Sequence, residues 1–445
     1  MADLPKQRRS LLRILGLVFG VAAVVGGMVG QGILRTPGII AGAVHSPELI
    51  ISLWLVGAAL LAVSAFAYVE LGTAIPCAGG PYDFARRAFG PVIGVITGWA
   101  AWLVIVTVAA FLAIVVAEFL HRLGIVTDIS ASLIAVVVLA MFGALNWTGT
   151  RVSGDSQIAF SAFKGAALIA LVVLLFAQPA ASPSAAGPAN LGGVVGIAAI
   201  ATALRAIMNT YDGWQDVVYF SEELRDPGRT LPRAVAVGVG SVVLLYLLVN
   251  FALLHVLTPV QMAASELPAA DAAEIALGAT GGFALTIFGV ISVAAIANVT
   301  IMKSARIAFA LARAGHLPSA LDQVAPTGTP RAALAVSVTL AAAFAATGTY
   351  DTVVAMNVAV GVAVVIVVNL AVVRLRQIAP DMDRPFRTPF YPYPIIIAVA
   401  VNLALLTALI IEDPMHSLAG FALIGVLGFG YWAVPLVRRR RGLPT

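Results

Sequence analysis

Two apolar stretches of this 445-residue chain are interrupted by residues that a membrane helix does not need at its centre. The first interruption reads GGMVGQGIL at 26–34, with four glycines in nine residues, and the second reads NTYDG at 209–213. Glycine weakens a helix by about 1 kcal/mol relative to alanine, and Asn, Asp and Gly form turns. Taken alone, Gly26 and Gly30 fit close helix packing equally well, because they have the GxxxG spacing.

A break in the middle of a membrane helix exposes backbone groups that can bind charge. The N–H groups that start a half-helix carry partial positive charge and attract a carboxylate, whereas exposed carbonyls accept an ammonium. Two such breaks side by side therefore suit a zwitterion such as an amino acid. Non-helical backbone at membrane depth is tolerated only where protein or a water-filled cavity surrounds it, so the breaks predict a binding cavity.

The composition indicates an integral membrane protein. The chain is 61% hydrophobic and 11% charged, with a mean hydropathy of +1.01, and a soluble domain of this size cannot bury so much apolar surface. The net charge of +5 lies in short clusters between apolar runs, which fits membrane topology better than nucleic-acid binding. A phosphate loop, a zinc-ligand set and a nucleophile elbow are all missing, so we expect no enzyme, cofactor or metal.

Apolar runs of about 20 residues predict about twelve transmembrane helices in a single all-α transporter domain, 1–445. Lys and Arg cluster in alternate connections, with Lys303 near the inner end of its span, which predicts cytoplasmic termini. The breaks fall in spans one and six, so we expect inverted repeats at 13–178 and 194–375, followed by helices 11 and 12 at 390–437. The connection 258–280 is expected to form short outer helices. The predicted spans are 13–43, 48–75, 90–121, 130–148, 154–178, 194–223, 231–257, 280–312, 331–347, 352–375, 390–411 and 417–437.

Five charged residues in or beside the spans are candidates for a role in transport. Lys164 is placed roughly 15 Å into the fifth span, and a lysine at that depth is a functional candidate. Arg205 and Asp212 are two helical turns apart, so they either pair at an outer gate or leave Asp212 facing the substrate cavity, where it would favour a cationic side chain or carry a proton. Glu222 and Glu223 form either a salt-bridge network at a closed gate or a solvated face.

Several segments resemble the APC superfamily of amino acid transporters. VGQGILRTPG at 29–38 is similar to the first-helix signature of that superfamily. YDGWQDVVYFSEELRDPGRTLPRA at 211–234 resembles the sixth-helix signature of its L-amino-acid-transporter (LAT-like) branch. SARIAFALARAGHLP at 304–318 and GTPRAAL at 328–334 resemble the eighth helix and the loop after it.

The resemblance implies a five-plus-five inverted repeat with broken helices 1 and 6, alternating access, and a substrate site between the two breaks. In such a site the amides of Gly30–Ile33 bind the substrate carboxylate, and the carbonyls near Val29 and at Asn209–Tyr211 receive the amino group. The implied substrate-binding residues are Val29, Gly30, Gln31, Gly32, Ile33, Asn209, Thr210, Tyr211, Asp212, Gly213 and Trp214.

Three positions deserve separate mention against the family pattern. Asn209 stands where many relatives have a gating aromatic, so Tyr211 or Trp214 would have to supply that bulk. Lys164 matches a lysine of sodium-independent members, whose ammonium replaces sodium and bridges helices 1 and 8. Relatives usually have a small uncharged residue at the position of Asp212.

The expected function is secondary active transport of L-amino acids across the cell membrane, independent of sodium and driven by protons or by exchange. The alternatives are an antiporter of cationic amino acids or related amines, and a channel or receptor on the same fold. The expected partners are the amino acid substrate and the lipid bilayer. A disulfide-tethered subunit is not expected, because the only cysteine, Cys77, falls at the inner side.

Overall fold

The computed structural model describes residues 10–181, 196–347 and 350–440. Sixteen α-helices make up most of this part of the chain, together with two 3-10 helices at 214–220 and 319–322. The α-helices are α1 Leu17–Met28, α2 Gly32–Val44, α3 Pro47–Ala74, α4 Pro81–Phe89, α5 Pro91–Arg122, α6 Ala131–Thr148, α7 Thr150–Phe176, α8 Ile197–Thr210, α9 Pro227–Val256, α10 Pro259–Ala264, α11 Pro268–Leu277, α12 Ala279–Arg313, α13 Arg331–Thr347, α14 Tyr350–Ile378, α15 Tyr393–Glu412 and α16 Pro414–Arg440.

The helices confirm the predicted all-α multi-pass membrane fold. Eight of the described helices are long and apolar enough to cross a bilayer, and the bent pair α1–α2 makes a ninth span. The shorter helix α13 and the first part of α16 are also apolar. With α8 and the 3-10 helix 214–220 forming the sixth span, each predicted span corresponds to one helix or one broken pair. Residues 1–9, 182–195, 348–349 and 441–445 of the predicted domain lie outside the described residues.

The short connecting helices were predicted in part. Helices α10 and α11 confirm the short helices expected in the connection 258–280, and Thr258 and Gln261 cap α10 reciprocally. Helix α4 was not predicted, although Pro81 at its first turn and the acidic Asp83 are ordinary signals of a helix start. Gly80 enters α4 with a φ of +49°, a left-handed conformation that glycine adopts without strain.

The buried apolar side chains form two clusters, and the broken helices lie where the clusters meet. The first cluster is built mainly on α1, α2, α3, α8 and α9. The second is built mainly on α5, α6, α12 and α13. Helix α1 and the 3-10 helix 214–220 both contact α12, so they join the two clusters. A movement of one cluster against the other therefore passes through the two broken spans.

An ion-pair cluster ties α3 to α14 away from the broken spans. The Arg376 guanidinium donates to both oxygens of Glu70 at 2.9 and 2.7 Å, and Arg384 lies 3.6 Å from the same carboxylate. The backbone N–H of Thr388 also donates to Glu70, at 2.8 Å. Because Glu70 is almost completely buried, these donors supply the compensation that a buried carboxylate requires.

Candidate substrate site at two helix breaks

The first break, residues 29–31, separates α1 from α2. The two helix axes differ by 46°, and Val29 is extended, with a ψ of 101°. Helix α2 begins at Gly32 without a side-chain cap. Within the described chain, the amides of Gln31 and Gly32 have no hydrogen-bond partner. The start of α2 therefore presents backbone donors of the kind that bind an anion.

Lys164 of α7 is completely buried and lies against the carbonyl end of α1. Its ammonium donates to the carbonyls of Gly26 at 2.8 Å and Val29 at 2.7 Å. Ser292 of α12 donates to the same Val29 oxygen at 3.1 Å. Lys164 thus lies where α1, α7 and α12 meet, which is the geometry that the resemblance implies for a lysine in place of sodium. Helix α7 begins at Thr150, earlier than predicted, so Lys164 lies deeper than expected.

The donors at the first break change one expectation about the substrate. Lys164 and Ser292 together use both lone pairs of the Val29 carbonyl. The neighbouring Met28 carbonyl accepts from the hydroxyl of Tyr246, at 2.9 Å. Contrary to the expectation for Val29, its carbonyl is not free in this conformation to receive a substrate ammonium.

Glycine at the first break serves packing as well as breaking. A methyl group on Gly26 would lie 2.2 Å from Nε2 of Gln157 and 2.5 Å from Oγ of Ser161. The Ser161 hydroxyl also donates to the Ala22 carbonyl at 2.7 Å. Gln157, Ser161 and Lys164 form a buried polar stripe on α7 that faces α1. The two explanations of the glycines are therefore both valid, because close packing against this stripe brings Lys164 to the carbonyl end of α1.

The second break, residues 211–213, lies directly beside the first. Gly213 has a φ of +103° and leads into the 3-10 helix 214–220. A methyl group on Gly27 would lie 2.6 Å from the Gly213 carbonyl oxygen, and one on Gly213 would lie 2.5 Å from the Gly27 carbonyl. Further out, the hydroxyls of Thr36 and Thr210 are 2.6 Å apart. The predicted pairing of the two breaks is present in the structure as direct backbone contact.

The bulky residues of the second break are anchored in the apolar cluster. Tyr211 is fully buried, stacks on Tyr246 with ring centroids 5.5 Å apart, and meets Trp54 edge-on at 5.3 Å. Trp214 packs edge-on against Tyr68 at 5.1 Å. Asn209, at the position of the family's gating aromatic, is exposed. In this conformation the side chains of Tyr211 and Trp214 pack into the apolar cluster, so neither acts as an aromatic lid over the break.

Of the two alternatives for Asp212, its pairing with Arg205 is wrong. Arg205 forms an exposed ion pair with Glu412 at the end of α15. Asp212, which is exposed, accepts a hydrogen bond from the Gln215 amide at 2.9 Å. A two-turn helical spacing cannot bring the pair together, because α8 ends at Thr210, before Asp212 is reached.

Sequence reasoning missed a buried ion pair one turn beyond Asp212. Asp216 of the 3-10 helix is 1% exposed and pairs with Lys303 of α12, which is 12% exposed. Lys303 was predicted to lie near the inner end of its span, and the structure adds that its ammonium is largely buried against Asp216. A second acidic residue so close to the break was the available signal, since a buried carboxylate requires a partner.

Glu222 and Glu223 form a salt-bridge network, so the solvated-face alternative is wrong. Glu223 and Arg306 are both buried and joined by contacts of 2.9 and 3.2 Å. Glu222 accepts two hydrogen bonds from Arg313, at 2.6 and 2.8 Å. This network closes the end of the molecule at which α1 begins, which we call the α1 side.

The segment before α1 is attached to the same network. The Leu15 amide donates to the Glu223 carbonyl at 3.0 Å, and the Arg225 amide donates to the Leu15 carbonyl at 2.8 Å. Ser221 bonds both the amide and the carbonyl of Cys77, each at 3.0 Å. The ends of the first and sixth spans on the α1 side are therefore joined by backbone hydrogen bonds.

A multi-pass helical protein with two broken spans in contact at mid-depth has the architecture of a membrane transporter. The sequence matches the family described as amino acid permease over residues 13–434, and the chain belongs to this family. It is 25% identical to the serine/threonine exchanger SteT of Bacillus subtilis (strain 168), covering 94% of this chain and 95% of SteT. It is 26% identical to the b(0,+)-type amino acid transporter 1 of Mus musculus, covering 91% and 84%.

A third relative, the amino acid transporter protein 6 of Caenorhabditis elegans, is 31% identical, with 79% of this chain and 68% of the relative covered. These findings confirm the resemblance to amino acid transporters and to their LAT-like branch. The protein is an amino acid transporter of the membrane and not an enzyme. The channel and receptor alternatives have no counterpart among these relatives.

Proposed function

We propose that this permease is a sodium-independent exchanger of L-amino acids in the cell membrane. The α1 side would face the cytoplasm, as the distribution of Lys and Arg predicts. The inverted repeats at 13–178 and 194–375 would move against each other in alternating access. The observation that carries sodium independence is the buried Lys164 ammonium between the carbonyls of Gly26 and Val29. Because the Lys164 ammonium already binds these carbonyls, they do not require a bound sodium ion.

The substrate would bind across the two breaks. Its carboxylate would accept hydrogen bonds from the amides of Gln31 and Gly32, where the positive end of the α2 dipole adds attraction. Its ammonium would face the carbonyl end of α8, at Thr210 and Tyr211, instead of the occupied Val29 carbonyl. The backbone contact between Gly27 and Gly213 forms the floor of this site toward the α1 side.

Asp212 supports a second candidate, the exchange of cationic amino acids. Its carboxylate is exposed beside the break, and the described partner is the neutral amide of Gln215. Arg205 is engaged elsewhere, so it does not neutralise Asp212. An uncompensated carboxylate at a substrate site favours a cationic side chain. The relatives named above include a b(0,+)-type transporter and a serine/threonine exchanger, so both candidates have support.

Counterflow into proteoliposomes tests the proposal. Vesicles loaded with unlabelled L-alanine, L-serine, L-leucine, L-arginine or L-ornithine are diluted into the same labelled amino acid, with sodium or choline as the external cation. We expect accumulation of at least one amino acid at equal rates in both buffers. Accumulation of none would refute exchange, and accumulation only in sodium would refute the role assigned to Lys164.

The two candidates are separated by Asp212→Asn in the same assay. If Asp212 recognises a cationic side chain, arginine and ornithine exchange falls on the order of tenfold, while alanine and leucine exchange is retained. Asp155→Asn is the matched control, because Asp155 is an exposed carboxylate on α7 away from both breaks. Equal effects of Asp212→Asn on all five amino acids would rule out side-chain recognition by Asp212.

A further inference from the structure

The ion pair between Asp216 and Lys303 joins the two parts of the molecule that must move in transport. Asp216 lies on the 3-10 helix of the sixth span, most of whose buried apolar residues belong to the first cluster, whereas Lys303 lies on α12, most of whose buried apolar residues belong to the second. Their side chains are only 1% and 12% exposed. Separating the 3-10 helix from α12 would leave both charges without a partner, and an unpaired buried charge is strongly unfavourable.

Asp216 also faces the crossing point of the two breaks. Its amide donates to the Gly213 carbonyl at 3.1 Å. One carboxylate oxygen, Oδ1, is bound by Lys303, while the other, Oδ2, would lie 2.9 Å from a methyl group on Gly27. The carboxylate is thus shared between the contact with α12 and the floor of the proposed substrate site.

The charges around the second break do not balance. Asp212 and Asp216 are four residues apart and close enough to interact electrostatically. Lys303 supplies one positive charge to Asp216, and Asp212 is hydrogen-bonded to a neutral amide. A substrate whose ammonium enters between the breaks brings the second positive charge. An ammonium at that position would compensate the carboxylates locally, while the substrate carboxylate is held apart from them at the start of α2.

Resting on the proposed function, we propose that Asp216 exchanges its counter-ion, from Lys303 in the empty carrier to the substrate ammonium in the loaded one. In the empty carrier the ion pair holds the 3-10 helix against α12. When substrate is bound, its ammonium compensates Asp216, and the 3-10 helix can leave Lys303, whose charge the opening cavity hydrates. The pair thereby makes movement depend on substrate, so that the protein exchanges amino acids and does not release them one way.

The transport mode tests this inference. Proteoliposomes are loaded with the labelled amino acid that the wild-type protein exchanges fastest in the five-member panel, and efflux is measured with and without the same unlabelled amino acid outside. For the wild type we expect external amino acid to accelerate efflux at least about tenfold, because each movement of the empty carrier must break the pair. For Asp216→Asn combined with Lys303→Met, we expect acceleration below about twofold, because empty-carrier movement no longer separates charges.

Glu70→Gln combined with Arg376→Met is the matched control. This pair has a similarly buried carboxylate and also connects two spans, but it lies away from the breaks. Its removal is expected to leave the acceleration ratio at the wild-type value, even if the amount of folded protein falls. A neutralised Asp216–Lys303 pair that keeps the wild-type ratio would overturn the inference.

Reversal of the pair distinguishes counter-ion exchange from a purely structural ion pair. In Asp216→Lys combined with Lys303→Asp, a structural role predicts restored exchange, because the two charges still compensate. Our inference predicts folded protein without exchange, because a lysine at position 216 cannot accept a substrate ammonium. Restored exchange in the reversed variant would overturn it.

A binding measurement tests the same inference without a transport assay. Lys303→Met alone leaves Asp216 without its resident counter-ion, so the substrate ammonium meets no competitor. We expect the Kd of the same amino acid to fall on the order of tenfold, measured by ligand-dependent thermal stabilisation. An unchanged or higher Kd would contradict the inference. Absence of wild-type exchange would instead refute the proposed function itself, so the two failures are distinguishable.

Discussion

The two breaks expose the same kinds of backbone group but are compensated differently. At the first break the carbonyls of Gly26 and Val29 are bound by Lys164, and Ser292 and Tyr246 complete the set. At the second break the charge is carried by two carboxylates, of which Asp216 alone has a basic partner. The exposed carbonyls of the first break are thus compensated by groups of the protein itself, whereas Asp212 at the second break has no described basic partner. We accordingly propose a scaffold role for the first break and a ligand-dependent role for the second.

Lys164→Ala should have the largest effect, because it removes the permanent compensation of the first break. Gly26 would lose its side-chain donor, and Val29 would retain Ser292 only. We expect exchange to fall on the order of 100-fold or more, as measured by counterflow, since the loss of a buried charged donor leaves several polar groups unsatisfied. Arg151→Ala, which removes an exposed basic residue of the same helix, should keep wild-type exchange. Full activity of Lys164→Ala would show that the first break does not depend on the Lys164 ammonium, which would remove the difference proposed between the two breaks.

Gly213→Ala should come next, because it separates the two breaks. The new methyl group would meet the Gly27 backbone at 2.5 Å, in a left-handed conformation that alanine avoids. We expect a loss of about 2–3 kcal/mol of stability and at least tenfold slower exchange. Gly240→Ala in α9, where a methyl group meets open space, is the control and should be neutral or stabilising. Stability is measured by thermal unfolding and exchange by counterflow. Wild-type values of both in Gly213→Ala would show that the backbone contact between Gly27 and Gly213 is not needed.

Tyr246→Phe tests a single neutral donor of the first break. It removes the hydrogen bond to the Met28 carbonyl but keeps the ring that stacks on Tyr211. The expected cost is about 1 kcal/mol, with exchange reduced a few-fold. An effect as large as that of Lys164→Ala would mean that the ammonium has no special role at this break.

Arg205→Met should have the smallest effect. The pair with Glu412 is about half exposed on both sides and lies outside both breaks. Exposed ion pairs contribute about 0–1 kcal/mol, so exchange and stability should stay within about twofold and 1 kcal/mol of the wild type. A large loss of exchange would restore the gate role that the sequence suggested for Arg205.

The spans and the breaks were predictable because each depends on a local pattern. Helix α13 occupies the predicted 331–347, and the glycine-rich first break lies inside the quoted motif. Asp216 carried a local signal, an acidic residue close to the break, but its pairing with Lys303 was not predictable, because 87 residues separate the partners. The failed pairing of Arg205 with Asp212 has a related cause, since it assumed a helix that ends at Thr210.

The role of single backbone groups was the least predictable feature of the site. Family resemblance assigned the Val29 carbonyl to the substrate, but the structure gives it to Lys164 and Ser292. Which oxygen receives which donor depends on side chains from three separate helices, and a motif within one helix does not contain that information. The predicted depth of Lys164 marked it as a functional candidate, whereas its proposed role in place of sodium came from the family resemblance.

The hydrogen bonds of Leu15 to Glu223 and Arg225 have a mechanical consequence. They join the beginning of the first span to the end of the sixth, so we expect the two half-helices on the α1 side to move together when that side opens. An insertion immediately before Leu15 should therefore disturb both half-helices at once, whereas a tag at the C-terminus should leave this connection intact.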